Sequence, residues 1–113
     1  MTTVEIWRKN GRIVRYESYG HSGYAEAGSD IVCAGVSSLV YAPLGGLQDV
    51  LGLRPDYVDR DDLLAVDLTT IPEADYAKRQ KEIGALLETM VVMVKNLAGQ
   101  YPEYLKLVEK EVR

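Results

Sequence analysis

The chain has 113 residues and a formal net charge of -4, with 47% hydrophobic and 27% charged residues but only one cysteine and one histidine. That balance is ordinary for a globular chain, and one domain over residues 1–113 fits the length. A lone cysteine excludes an intrachain disulfide, the two counts together exclude a four-ligand Cys/His zinc site, and 13 basic against 17 acidic residues, with no basic run, argue against direct nucleic-acid binding.

The N-terminal residues carry Glu5, Arg8, Lys9 and Arg12 and no apolar core, unlike a secretory signal. Val4, Ile6, Ile13, Val14 and Tyr16 lie in two β-prone runs around Asn10-Gly11, a pair suited to the positive φ angles of a tight hairpin turn. Gly20 to Ser29 holds three glycines and two alanines and no amphipathic period, so a mobile loop is expected there. From Asp30 the pattern turns helical, with Val32, Val36, Leu39, Val40, Leu44, Leu47 and Leu51 at spacings of three and four, Ser29 or Asp30 as cap, and Gly52 as terminator.

Pro43 is expected to kink or split that helix. The stretch Ile31 to Gln48 has no formal charge but contains glycines, serines and a proline, so it reads as a buried helix rather than a membrane span. Arg54–Arg60 and Leu63–Thr69 suggest a second hairpin around Asp61-Asp62. Pro72, Glu73 and Asp75 then open a helix whose buried stripe is Ile83, Leu86, Leu87, Met90, Val91, Val94 and Leu97, with Gly99 as its C-cap. The alternating tail from Tyr104 suits a last strand, with a short helix as the alternative. The order ββαββα(β) describes an α+β fold, two helices packed on a mixed, mainly antiparallel sheet.

The chemistry concentrates between Gly20 and Ser37. His21 stands on the glycine-rich loop and Cys33 in the first turn of the following helix, twelve residues on. Amides at a helix start lack intrahelical partners and favour a thiolate; the same amides can hold an oxyanion. His21 can take the thiol proton. Asp30 places a negative charge near the sulfur, so it suits a cap or an orienter of His21 better than an activator. Ser37, one turn beyond Cys33, can hydrogen-bond toward the same place. Each residue also has a plain reading: Cys33 as a small core residue, His21 as a surface side chain, Asp30 and Ser29 as caps, Ser37 as a partner for a backbone carbonyl. The glycine spacing is not that of a phosphate-binding loop.

The segment GHSGYAEAGSDIVCAGVS, Gly20 to Ser37, resembles the ribosomal-processing cysteine proteases, the Prp family of small bacterial proteins. The Asn-Gly hairpin before it and the Tyr-Pro-Glu-Tyr segment near the C-terminus fit the same plan, and the resemblance covers nearly the whole chain. It implies a cysteine endopeptidase that removes the N-terminal extension of large-subunit ribosomal protein L twenty-seven, cutting after aromatic residues and before a small one. By position, it implies Cys33 as nucleophile, His21 as catalytic histidine, and Asp30 and Ser37 as supporting polar residues.

Gly20, Ser22, Gly23, Gly28 and Ser29 would belong to a mobile, substrate-covering loop. The resemblance further implies a homodimer with no cofactor, acting on a ribosomal precursor, while the residues themselves point to the cytoplasm and to no metal site, nucleic acid or membrane. Ser22 and Gly35 depart from the alanines frequent in the family, which bears on loop and helix rigidity. Two other readings remain at this stage: a non-catalytic ribosome-assembly protein that binds the precursor, and a thiol redox sensor using Cys33 alone.

Overall fold

A computed structural model describes residues 1–21, 23–26 and 30–113. The first two strands, β1 (Thr2–Lys9) and β2 (Arg12–Tyr19), pair antiparallel through a two-residue turn in which Asn10 and Gly11 have φ of 53° and 80°. This is the expected hairpin, because both turn positions need the left-handed region that Asn and Gly enter at little cost. The long helix α1 (Ile31–Gly45) follows, then β3 (Asp56–Arg60) and β4 (Leu63–Asp67), which form the second hairpin with Asp61 at φ 46°. A single 3₁₀ turn, Leu68–Thr70, leads to α2 (Glu73–Lys78), α3 (Gln80–Gln100) and β5 (Leu105–Glu111).

The five strands form one sheet in the order β3-β4-β2-β1-β5. Only the β1/β5 pair is parallel, so the sheet is mixed and mainly antiparallel, as the sequence pattern implies. Period-two alternation puts Val4, Ile6, Leu64 and Val66 on the face covered by the helices. Against them pack Val32, Val36, Val40, Leu44 and Leu47 from the first helical segment and Ile83, Leu87, Met90, Val91 and Val94 from α3. The opposite face is polar, with the Trp7 ring flanked by Arg15 and Lys110. Its edge strand β3 is exposed along its whole length.

Three helix details differ from expectation. Pro43 neither splits α1 nor ends it; the chain continues from Gly46 to Val50 as a π turn, closed by the Leu51 amide on the Gly46 carbonyl at 3.0 Å, before Gly52 at φ 68°. The buried Tyr16 hydroxyl enters the helix ladder there, donating to the Val40 carbonyl at 2.8 Å beside the Leu44 amide. Burial pushes the Tyr16 phenol up, partly offset by that amide. A side chain inserted in the ladder next to a proline is a physical cause of altered helix winding. Tyr16→Phe is expected to lower stability by about 1–2 kcal/mol in urea unfolding, since it removes a buried donor from between two helix groups.

The expected second helix begins at Glu73 but breaks at Arg79, where φ is -119°. The break lets Tyr76 stay buried beneath the Arg12 guanidinium, 3.4 Å from its ring centroid, while Ile83 starts the long apolar stripe of α3. Gly99 lies inside the last turn of α3, and Tyr101 is the residue that caps it. The segment Ile31–Val50 is long and apolar enough to cross a membrane by length and composition, yet one of its faces supplies the core residues named above.

Candidate active site

The site grows from the junction of three elements at one end of the sheet. Antiparallel pairing sets Tyr19 opposite Leu63, so the residue after β2 meets the turn before β4. Gly20 donates its amide to the Asp62 carbonyl at 3.2 Å and holds φ of 88°. A Cβ at Gly20 would lie 2.5 Å from the Met1 carbonyl oxygen, so only glycine fits here on both counts. His21 follows at once, and its Nε2 lies 2.9 Å from Asp62 Oδ2.

Across the cleft, α1 begins at Ile31, placing the half-buried thiol of Cys33 in its first turn. Asp30 caps this helix, its Oδ1 accepting from the amides of Val32 at 3.0 Å and Cys33 at 2.9 Å. The Asp30 carbonyl takes the Ala34 amide at 3.1 Å as the first ladder bond. Two of the three amides without ladder partners are therefore engaged by the cap, which alters the expectation that helix-terminal amides receive an oxyanion. Such a site must draw on the Ile31 amide, on other backbone groups, or on displacement of the Asp30 side chain.

A cleft of about 500 Å³ is lined by His21, Gly23, Ala25, Asp30, Cys33, Ala34 and Ser37. The four polar residues singled out in the sequence thus share one cavity. Ser37 sits exposed on the cleft wall; the neighbouring Ser38 is the serine that donates back to a helix carbonyl, that of Ala34, at 3.0 Å. Ser22, Gly28 and Ser29, assigned to the substrate-covering loop, lie outside the described residues. Among the described residues no three His, Cys, Asp or Glu side chains gather in a way that could hold a metal ion.

Two contributions were not foreseen from sequence. One is Asp62, read there only as a turn residue, although the strand register alone brings its turn beside Gly20. The other is Tyr24, whose ring packs edge-on against Tyr101 and Tyr104 at centroid distances of 5.5 and 5.2 Å. Those contacts tie the described part of the loop to the connection between α3 and β5. Asp30→Ala is expected to cost about 1 kcal/mol of unfolding free energy through loss of the cap, and Asp30→Asn clearly less, as measured by urea titration.

The family model described as "Cysteine protease Prp" matches residues 1–106. The ribosomal processing cysteine protease Prp of Bacillus subtilis (strain 168) is 26% identical over 95 residues, covering 84% of each chain. Its namesake from Staphylococcus aureus (strain Mu50 / ATCC 700699) is 27% identical over 114 residues, covering 95% of this chain and 97% of that one. Among solved structures, the S. aureus processing protease with a covalently linked product peptide superposes with a TM-score of 0.84 at 26% identity, over 97% of this chain and all of that one. SMU.848 from Streptococcus mutans superposes with a TM-score of 0.80 at 26% identity, over 99% of this chain and 96% of that one. With the family model spanning nearly the entire sequence and the only thiol and only imidazole lining one cleft, the chain belongs to the Prp family of cysteine proteases.

Proposed function

We propose that this protein is the endopeptidase that removes the N-terminal extension from the precursor of ribosomal protein L twenty-seven, with Cys33 as nucleophile and His21 as general base and acid. The observation that carries the reading is the shared cleft: the one thiol and the one imidazole of the chain line the same cavity, with small residues, Gly23, Ala25 and Ala34, leaving room for an extended peptide. The related S. aureus protease has been solved with a substrate peptide and with a covalently linked product peptide, which fits attack by a side-chain nucleophile.

In this mechanism His21 takes the Cys33 proton and the sulfur attacks the scissile carbonyl carbon. The tetrahedral oxyanion collapses as the imidazolium gives its proton to the leaving amine, and a thioester to Cys33 remains. Water, deprotonated by the same imidazole, then attacks the thioester and frees the thiol. Asp30 fixes the first turn of α1, and hence the Cys33 backbone, through its cap bonds. Ser37 faces the same cavity and would bind substrate backbone.

The setting of this reading is the cytoplasm, with the protein as a homodimer. The dimer draws support from an apolar groove of about 470 Å³ between the two long helical segments, lined in part by Leu39, Pro43, Leu86, Met90 and Met93, with Val50 75% exposed at its rim. Sedimentation velocity reads the oligomeric state directly. For the activity, a synthetic peptide spanning the precursor's extension is incubated with the protein and the fragments are read by mass spectrometry. Two fragments joined at an aromatic/small boundary support the proposal, and an intact peptide overturns it.

A further inference from the structure

We infer that Asp62 is a positioning residue for the reaction, holding His21 in the tautomer whose Nδ1 accepts the Cys33 proton. The inference rests on the proposed roles of Cys33 and His21. Its own observation is a double attachment: the Asp62 carbonyl accepts from the Gly20 amide at 3.2 Å, and Asp62 Oδ2 lies 2.9 Å from His21 Nε2. One turn residue thus fixes both the backbone that carries the imidazole and the ring itself.

The chemical consequence follows from what each atom can do. A carboxylate only accepts, so its position 2.9 Å from Nε2 favours, in the neutral imidazole, the tautomer with hydrogen on Nε2, the form that can donate to Asp62. Nδ1 is then left with its lone pair, available as the base. When Nδ1 takes the thiol proton the ring becomes a cation with Nε2 still beside Asp62, and the adjacent carboxylate stabilises that charge. No proton moves to Asp62 at any stage. The other titratable groups facing this cavity, Asp30 and Cys33, belong to the beginning of the helix opposite, whereas Asp62 reaches the ring from the β3–β4 turn.

Exposure sets the expected size. The side chains of His21 and Asp62 are 68% and 53% exposed, so water screens the pair in the free enzyme, and a bound peptide covering the cleft would strengthen it. The effect of removing Asp62 should therefore be well below that of removing a fully buried orienting carboxylate, about tenfold in rate rather than about 10⁴-fold. It should fall on kcat more than on KM, since the pair acts on the reacting imidazole and not on peptide binding.

The test uses the whole protein and its unique imidazole and thiol. The ¹⁵N shifts of the single histidine ring report the tautomer without any substrate, and iodoacetamide alkylation of the single thiol reports proton transfer to that ring. Wild type is expected to show the Nε2–H tautomer; Asp62→Ala should give a mixed tautomer and about tenfold slower alkylation and peptide cleavage, with KM nearly unchanged. Asp62→Asn, which retains an acceptor oxygen, should recover part of both. Urea unfolding of each variant separates these effects from loss of fold.

A ring with unchanged tautomer and an unchanged alkylation rate in folded Asp62→Ala overturns the inference even if peptide cleavage by wild type depends on Cys33 and His21. Conversely, if wild type cuts no peptide, the functional reading fails, and the tautomer and alkylation measurements still decide whether Asp62 positions the ring for the thiol.

Discussion

Cys33→Ala is expected to abolish peptide cleavage, lowering kcat by roughly 10⁴-fold or more, and His21→Ala by about 10²- to 10⁴-fold. The asymmetry has a chemical basis. Without sulfur no thioester can form, and the remaining cleft offers only binding to a bond that hydrolyses very slowly. Without the imidazole, water must take the thiol proton and protonate the leaving amine, so attack continues at low frequency. The double variant should be no slower than Cys33→Ala alone, because the two groups serve one bond change and their losses do not add. The chain contains no second cysteine or histidine, so no neighbouring group can rescue either variant. Initial rates on the precursor peptide, followed by chromatography, give these ratios. Equal rates for wild type and Cys33→Ala would remove the nucleophile from the proposal.

The elements that sequence reasoning placed well are those governed by local chemistry. Asn10-Gly11 specifies its turn through the φ each residue tolerates, and Asp30 caps α1 because a short carboxylate two and three residues before free amides has few better partners. The buried stripe of α3 follows from period 3.6; Leu86 and Leu97, counted within it, sit at its half-buried margins. What escaped notice depended on residues distant in the chain. The winding of the helix past Pro43 involves Tyr16 from another strand, and the break at Arg79 accompanies the burial of Tyr76 under Arg12. Asp62 is 41 positions from His21, a separation from which spacing alone yields no contact. The site was legible as far as it lay in one segment, and its second wall came from the sheet register.

Gly20→Ala should be the most damaging single change outside the reacting pair, costing about 2–4 kcal/mol of stability and most of the activity together. At φ of 88° an alanine pays roughly 1–2 kcal/mol for the left-handed backbone alone. Its Cβ would also stand 2.5 Å from the Met1 carbonyl oxygen, a backbone atom that no rotamer change can move aside. Relief requires a shift of either neighbour. If Met1 and Thr2 move, the Thr2 amide bond to the Tyr104 carbonyl, 3.0 Å long, is strained where β1 meets β5. If Gly20 moves, its bond to the Asp62 carbonyl lengthens and His21 is carried off Asp62 Oδ2.

The first route appears as a lower urea midpoint, the second as loss of cleavage with the Nε2–H tautomer also lost. Gly23→Ala provides the contrast: φ there is 73°, but among the described residues no atom lies within 4 Å of the added Cβ, so the backbone cost is the one expected. A Gly20→Ala protein as stable and active as Gly23→Ala would show that the contact with Met1 does not hold the loop start in place.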